Sequence, residues 1–289
     1  MDFLARTVLG RTGLKVSRLG LGASYGVSGR DVAWAVEQGV NYLYWGSRRA
    51  GPFAEGIREA IRAHGRDQVV VVVQSYARLP GALSLSVQRA LRQLKIEHAD
   101  LLLLGWWNSA PPTGYLEAFA RLRERGLVRH LMVSGHNRAA LGAMARGGAF
   151  DALMVRYNAA HRGAEQEVFP ELPAQGRPGV VAYTATRWGT LLRSPGPWPP
   201  GLRVPSAAEC YRFCLTHPAV DLVLCGPANR EELLQAVGAL ALGPLGDEEL
   251  AAIRAFGDRV HAHYAEVFAP LGLLRMIQAR LRPPESGRA

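Results

Sequence analysis

Val69-Val70-Val71-Val72-Val73 is the stretch on which the fold turns. Five β-branched residues in succession suit a pleated strand, and a run that is apolar at every position reads as a strand covered on both faces. Strands of that kind belong to parallel sheets flanked by helices. The pattern of a short apolar run followed by an amphipathic segment continues in both directions. It predicts strands at Leu19–Leu21 and Tyr42–Tyr44 before the valines, and at Ala99–Leu104, His130–Val133, Ala152–Arg156, Val180–Tyr183 and Val220–Leu224 after them.

Helices are predicted between the strands. One is capped by Asp31 and runs to about Gln38, where Gly39 stops it. The others are Ala54–Ala63, Leu83–Leu94, Tyr115–Arg125, Arg138–Arg146, Glu165–Leu172, Ala207–His217 and Arg230–Leu242. Leu83, Val87, Leu91 and Leu94 fall on one helical face. Eight strand–helix units predict an α/β chain folded as a single (β/α)8 TIM barrel over residues 1–268. Three pieces fall outside the repeats: an N-terminal β-hairpin over Thr7–Val16, an extra C-terminal helix capped by Asp247, and an Arg- and Pro-rich tail, 269–289, with Arg275, Arg280 and Arg282. Arg193–Pro205, rich in proline and glycine after the seventh strand, reads as a lid.

Composition narrows the function classes. The chain has 289 residues, 48% hydrophobic and 20% charged, as a soluble domain has. No apolar run reaches the ~20 residues of a membrane span, and the N-terminus lacks a signal-peptide core, so a cytoplasmic protein is expected. The net charge is +10, yet Lys15 and Lys95 are the only lysines and the arginines are dispersed. Without a basic block or a recognition motif, no nucleic-acid or membrane partner is expected. Cys210, Cys214 and Cys225 have only His217 nearby, which reads as reduced thiols and no metal site.

Several stretches resemble the aldo-keto reductase superfamily, in the right order and across nearly the whole chain. Leu9-Gly10-Arg11-Thr12-Gly13-Leu14-Lys15-Val16-Ser17-Arg18-Leu19-Gly20-Leu21-Gly22 is similar to its opening hairpin and first strand. Gly39-Val40-Asn41-Tyr42-Leu43-Tyr44-Trp45 is similar to its second, and Arg66-Asp67-Gln68-Val69-Val70 to the approach to its third. Asp100-Leu101-Leu102-Leu103-Leu104 with Trp106, Arg156-Tyr157-Asn158 and Val181-Ala182-Tyr183 look like its fourth, sixth and seventh.

The resemblance implies hydride transfer from NADPH to a carbonyl. A tyrosine is the general acid, a lysine and an aspartate lower its pKa, and a histidine orients the carbonyl. Carried over position by position, the aspartate becomes Tyr44, the tyrosine Arg49 (or Ala50), the lysine Gln74 and the histidine Gly105. Lys15 and Lys95 both belong to the far end of such a barrel. Of the cofactor positions the resemblance implies, Ser134, Tyr183, Thr184, Gly226 and Arg230 are candidates, whereas Gly135 and Met154 replace two amide-clamping residues.

Strand ends build the site in a barrel. Besides Tyr44, Arg49 and Gln74, those ends offer His136 as an acid or base, or else a loop histidine bonded to a neighbour. They offer Arg156 as an anion partner or a structural ion pair. Trp45, Tyr76, Trp106, Trp107, Asn108, Tyr157, Asn158, His161 and Arg162 complete the expected mouth. The function expected is a divergent member that binds a small aromatic or anionic molecule, with carbonyl reduction non-standard or absent. The alternatives are an NADP(H)-dependent oxidoreductase with another proton donor, and a non-catalytic barrel that senses NADP(H) or a ligand.

Overall fold

The computed structural model describes residues 2–23, 25–46, 51–194 and 203–268. A short antiparallel hairpin, β1 (Thr7–Val8) and β2 (Lys15–Val16), precedes eight parallel strands. These are β3 (Leu19–Gly22), β4 (Tyr42–Trp45), β5 (Val70–Ser75), β6 (Ala99–Leu104), β7 (Val128–Ser134), β8 (Ala152–Arg156), β9 (Gly179–Tyr183) and β10 (Leu222–Cys225). They pair in chain order, and β10 closes on β3, so the sheet is a complete barrel. The described helices are α1 (Gly29–Glu37), α2 (Gly51–His64), α3 (Pro80–Leu94), α4 (Thr113–Glu124), α5 (Arg138–Arg146), α6 (Ala164–Glu167), α7 (Ala207–Thr216), α8 (Arg230–Gly238) and α9 (Asp247–Phe268).

The valine run behaves as its composition dictates. Val71 and Val73 face the helical layer, while Val70 and Val72 face the barrel interior. Each fully buried valine is worth roughly 1.5–3 kcal/mol, so both faces of β5 are held. Inside the barrel lie Tyr42, Leu101, Leu103, Met132, Ala152, Met154, Val181, Leu222 and Leu224. Leu9 and Val16 of the hairpin join them and close the N-terminal end. Gly10 must be glycine: at φ +47 its Cβ would run into the Gly179 backbone.

A repeated clasp secures that same end. Every second strand begins beside an Asp or Asn that accepts a backbone N–H from the strand before it. Asn41 accepts from Ser17 at 2.8 Å, Asp100 from Val71 at 2.7 Å, Asp151 from Leu131 at 2.8 Å and Asp221 from Val180 at 2.8 Å. Arg66 and Arg177 pair with the buried carboxylates of Asp100 (2.8 Å) and Asp221 (2.6 Å). Backbone donors that the ladder leaves over are thereby satisfied.

Several boundaries differ from expectation for identifiable reasons. Ser28, not Asp31, caps α1; Asp31 is the N3 partner of a reciprocal capping box. The segment read as Glu165–Leu172 is α6 followed by a 3-10 turn at Phe169–Glu171, because Pro170 lacks an N–H and cannot continue the helix. Gly238 ends α8, and a 3-10 turn, Ala239–Leu242, follows. Asp247 is the first residue of α9 rather than its cap. The tail 269–289 and most of the expected lid (195–202) lie outside the described residues.

Candidate active site at the barrel mouth

Strand alternation decides which side chains enter the mouth. The last inward positions of the eight strands are Gly22, Tyr44, Gln74, Gly105 (just past β6), Ser134, Arg156, Tyr183 and Gly226 (just past β10). None is a lysine, a carboxylate or a histidine. Tyr44 donates its hydroxyl to Gln74 Oε1 in a short contact. The Gln74 amide and the Tyr76 ring occupy the volume that a Cβ at Gly105 would need. A side chain at position 105 would require the Gln74 amide and the Tyr76 ring to shift.

Ser134 is buried at the end of β7; its Oγ accepts from the Trp106 N–H at 3.4 Å and its carbonyl from the Trp107 N–H at 2.7 Å. The Trp107 carbonyl fills the space of a Cβ at Gly135. Tyr183 sits half-buried beside Arg156, its register partner on β8. Burial raises the Tyr183 phenol, so it stays protonated near neutrality. Thr184 is left-handed (φ 59) and bonds its own neighbour, the Tyr183 carbonyl, at 2.6 Å. Non-glycine residues at positive φ cluster in this loop, with Arg187 (φ 50) and Trp188 (φ 51) following.

Arg156 ends β8, partly exposed, and makes no hydrogen bond or ion pair with any described residue. Its field reaches several neighbours. Burial, then Arg156, lowers His136. Burial first, then Arg156, Arg187, His261 and Arg138, pushes His161 down to about 4. His161 is thus a neutral acceptor, taking a hydrogen bond from Arg187 Nε at 3.1 Å. Arg187 also lies 4.1 Å over the Tyr264 ring on α9, so α9 closes over this side.

The remaining candidates divide by position. His136 is exposed on the rim, its ring 5.9 Å from Trp106 and its N–H bonded to Asn108 at 2.7 Å. Arg49, with Arg48, lies outside the described residues. Trp45 points into the outer core (1% exposed), contrary to expectation, because it is one residue out of phase with Tyr44. Tyr157 is likewise buried and donates to Glu165 at 2.7 Å, and Arg162 pairs with Asp258 at 2.7 Å. At the opposite rim Gly226 lies under the Tyr25 ring. Arg230 pairs with Asp31 at 3.1 Å and covers the Trp34 ring at 3.6 Å. Tyr25 and Arg187 were not foreseen; both sit in loops, where strand parity gives no signal.

Other chemistry is absent from the described residues. No group of three His, Cys, Asp or Glu gathers to hold a metal. Cys210, Cys214 and Cys225 are buried, and burial raises all three thiols. No described helix is long and apolar enough to cross a membrane.

A closed parallel barrel with a polar, aromatic mouth defines the class of the chain as a (β/α)8 barrel protein. Comparison with known proteins narrows that class. The model of the aldo/keto reductase family matches residues 23–195, more than half of the chain, and the chain belongs to this family. No curated protein matched it. Among solved structures, the holo form of an aldo-keto reductase from Bacillus halodurans superposes with a TM-score of 0.73 at 22% identity, covering 87% of this chain and 96% of that one. An aldo/keto reductase from Klebsiella pneumoniae in complex with NADP and acetate gives 0.68 at 25% identity, over 88% and 96%. A Klebsiella pneumoniae structure in complex with NADPH gives 0.67 at 24%, over 88% and 95%.

Proposed function

We propose that this family member binds a small aromatic or anionic molecule at its mouth and lacks the family's standard carbonyl-reductase chemistry. The carrying observation is the Tyr44–Gln74 pair: a phenol bonded to a carboxamide stands where the resemblance calls for an aspartate and a lysine. Lys15 lies in β2 and Lys95 caps the C-terminus of α3, both at the opposite end. A phenol paired with a neutral carboxamide gains from it none of the acidity that a lysine and an aspartate would lend. General acid–base assistance of the standard kind contributes about 10²–10⁴-fold, and on this reading the chain forgoes it.

NADP(H) fits this chain only in part. Ser134 and Tyr183 are available at the nicotinamide end. At the other end, Tyr25 covers Gly226, Arg230 is held by Asp31 and Trp34, and the α8 N-terminus is capped by its own Asn229 and Glu232. Among the described residues, the groups at the phosphate end are thus engaged with one another rather than open to a dinucleotide. The reading is tested by titrating NADPH against the protein's fluorescence, with a carbonyl panel followed at the nicotinamide absorbance. Weak or absent binding with negligible turnover is expected; brisk reduction of ordinary aldehydes would defeat it. Tight NADPH binding with slow reduction would favour an oxidoreductase using another proton donor.

A further inference from the structure

The other described arginines near the mouth are committed. Arg138 pairs with Glu167 at 2.6 Å, and Arg78 donates to the carbonyls of Gly105 (2.9 Å) and Trp106 (3.0 Å). Arg187 is spent on His161, on Thr190 at 3.1 Å and on the Tyr264 face. Arg156 alone of these has no partner among the described residues, although strand parity aims it into the mouth. A partly buried guanidinium without a counter-charge is a ready partner for an anion, which it would bind through charge-assisted hydrogen bonds. The surrounding groups are neutral imidazoles, neutral phenols and another guanidinium, so none of them supplies a counter-charge.

The walls are aromatic. Tyr183 is the register partner of Arg156, and burial raises it with a further contribution from Tyr76. Tyr76 meets Trp106 edge-on at 6.0 Å, and Trp106 reaches His136, which itself feels Arg156. Trp106 is 63% exposed and held at φ 61, a costly conformation for a bulky residue and one that persists mainly at functional sites.

We infer that Arg156 anchors the carboxylate of a planar aromatic acid, whose ring lies among Tyr183, Tyr76 and Trp106. The inference rests on the mouth being the ligand site proposed above. The guanidinium of Arg156 matches a carboxylate fork to fork, and Arg187, the described arginine whose field it shares, is not free to join it on a phosphate. Full-length protein is titrated with benzoate, benzamide and inorganic phosphate by tryptophan fluorescence, alongside Arg156→Gln. Benzoate is expected to bind at least about 10-fold more tightly than benzamide. Arg156→Gln should weaken benzoate about 10- to 100-fold, the range of a charge-assisted pair, and leave benzamide unchanged. The thermal midpoint of Arg156→Gln should hold or rise, since no native partner is lost; a structural arginine would lower it. Equal affinity for benzoate and benzamide, benzoate binding indifferent to Arg156→Gln, tighter binding of phosphate, or no binding of any of the three each overturns the assignment. Brisk NADPH-linked reduction would defeat the functional reading and leave this charge dependence standing, so the two failures are separable.

Discussion

The Tyr44–Gln74 contact ties two adjacent strands at the residue where the family resemblance ends. Gln74 is buried (6% exposed), so removing the phenol oxygen takes one hydrogen bond from its Oε1 in a dry place. Tyr44→Phe should cost about 1–2 kcal/mol in urea unfolding, and Tyr44→Phe with Gln74→Leu should recover part of it. A double variant no better than the single would show that the pair is not coupled. Parity made Tyr44, Gln74, Arg156 and Tyr183 legible in the sequence, because residues two apart share a face. It also excludes Trp45, which was grouped with the mouth before a register could be assigned to β4. What parity could not show was commitment: that Arg230 is taken by Asp31 and Trp34, and that Tyr25 lies on Gly226, depends on loops meeting across the rim.

Among the elements, α9 does more than extend the chain. It packs against the loop after β8, where Gly257 leaves no room for a Cβ beside the Ala159 carbonyl. Arg254 on the same helix binds Glu165 at 2.7 Å, and Asp258 binds Arg162. Gly257→Ala should therefore cost about 1–3 kcal/mol, since backbone rather than a side-chain end must yield. Faster amide exchange along α9 than elsewhere should accompany the loss; uniform exchange would mean that the helix is not docked there. The amphipathic pattern over 247–267 makes this helix legible in the sequence. The expected helix Glu165–Leu172 is shorter, as α6, because Pro170, a breaker visible in the same stretch, cannot continue it.

For the whole molecule, pH is the informative variable. His161 has a folded-state value near 4, below the ordinary 6.5, so the unfolded chain takes up that proton first as pH falls. Its contribution is complete above about 6.5 and is lost as pH falls toward about 4, when the imidazole can no longer accept from Arg187. Allowing for solvent screening of the half-exposed ring, the loss between pH 7 and 5 is on the order of 1 kcal/mol. His161→Gln, which keeps an acceptor without titrating, should show a smaller drop in thermal midpoint over that interval; parallel curves would discount His161. The barrel itself was legible from the alternation of apolar runs and helices, because eight such units admit few arrangements. The clasps of Asn41, Asp100, Asp151 and Asp221 lie at the end remote from the mouth. Keeping the cylinder shut and doing chemistry at its opening thus draw on disjoint sets of side chains. A lineage can exchange its reacting groups one after another without the vessel springing open, and a frame shaped for one reaction can be handed to another.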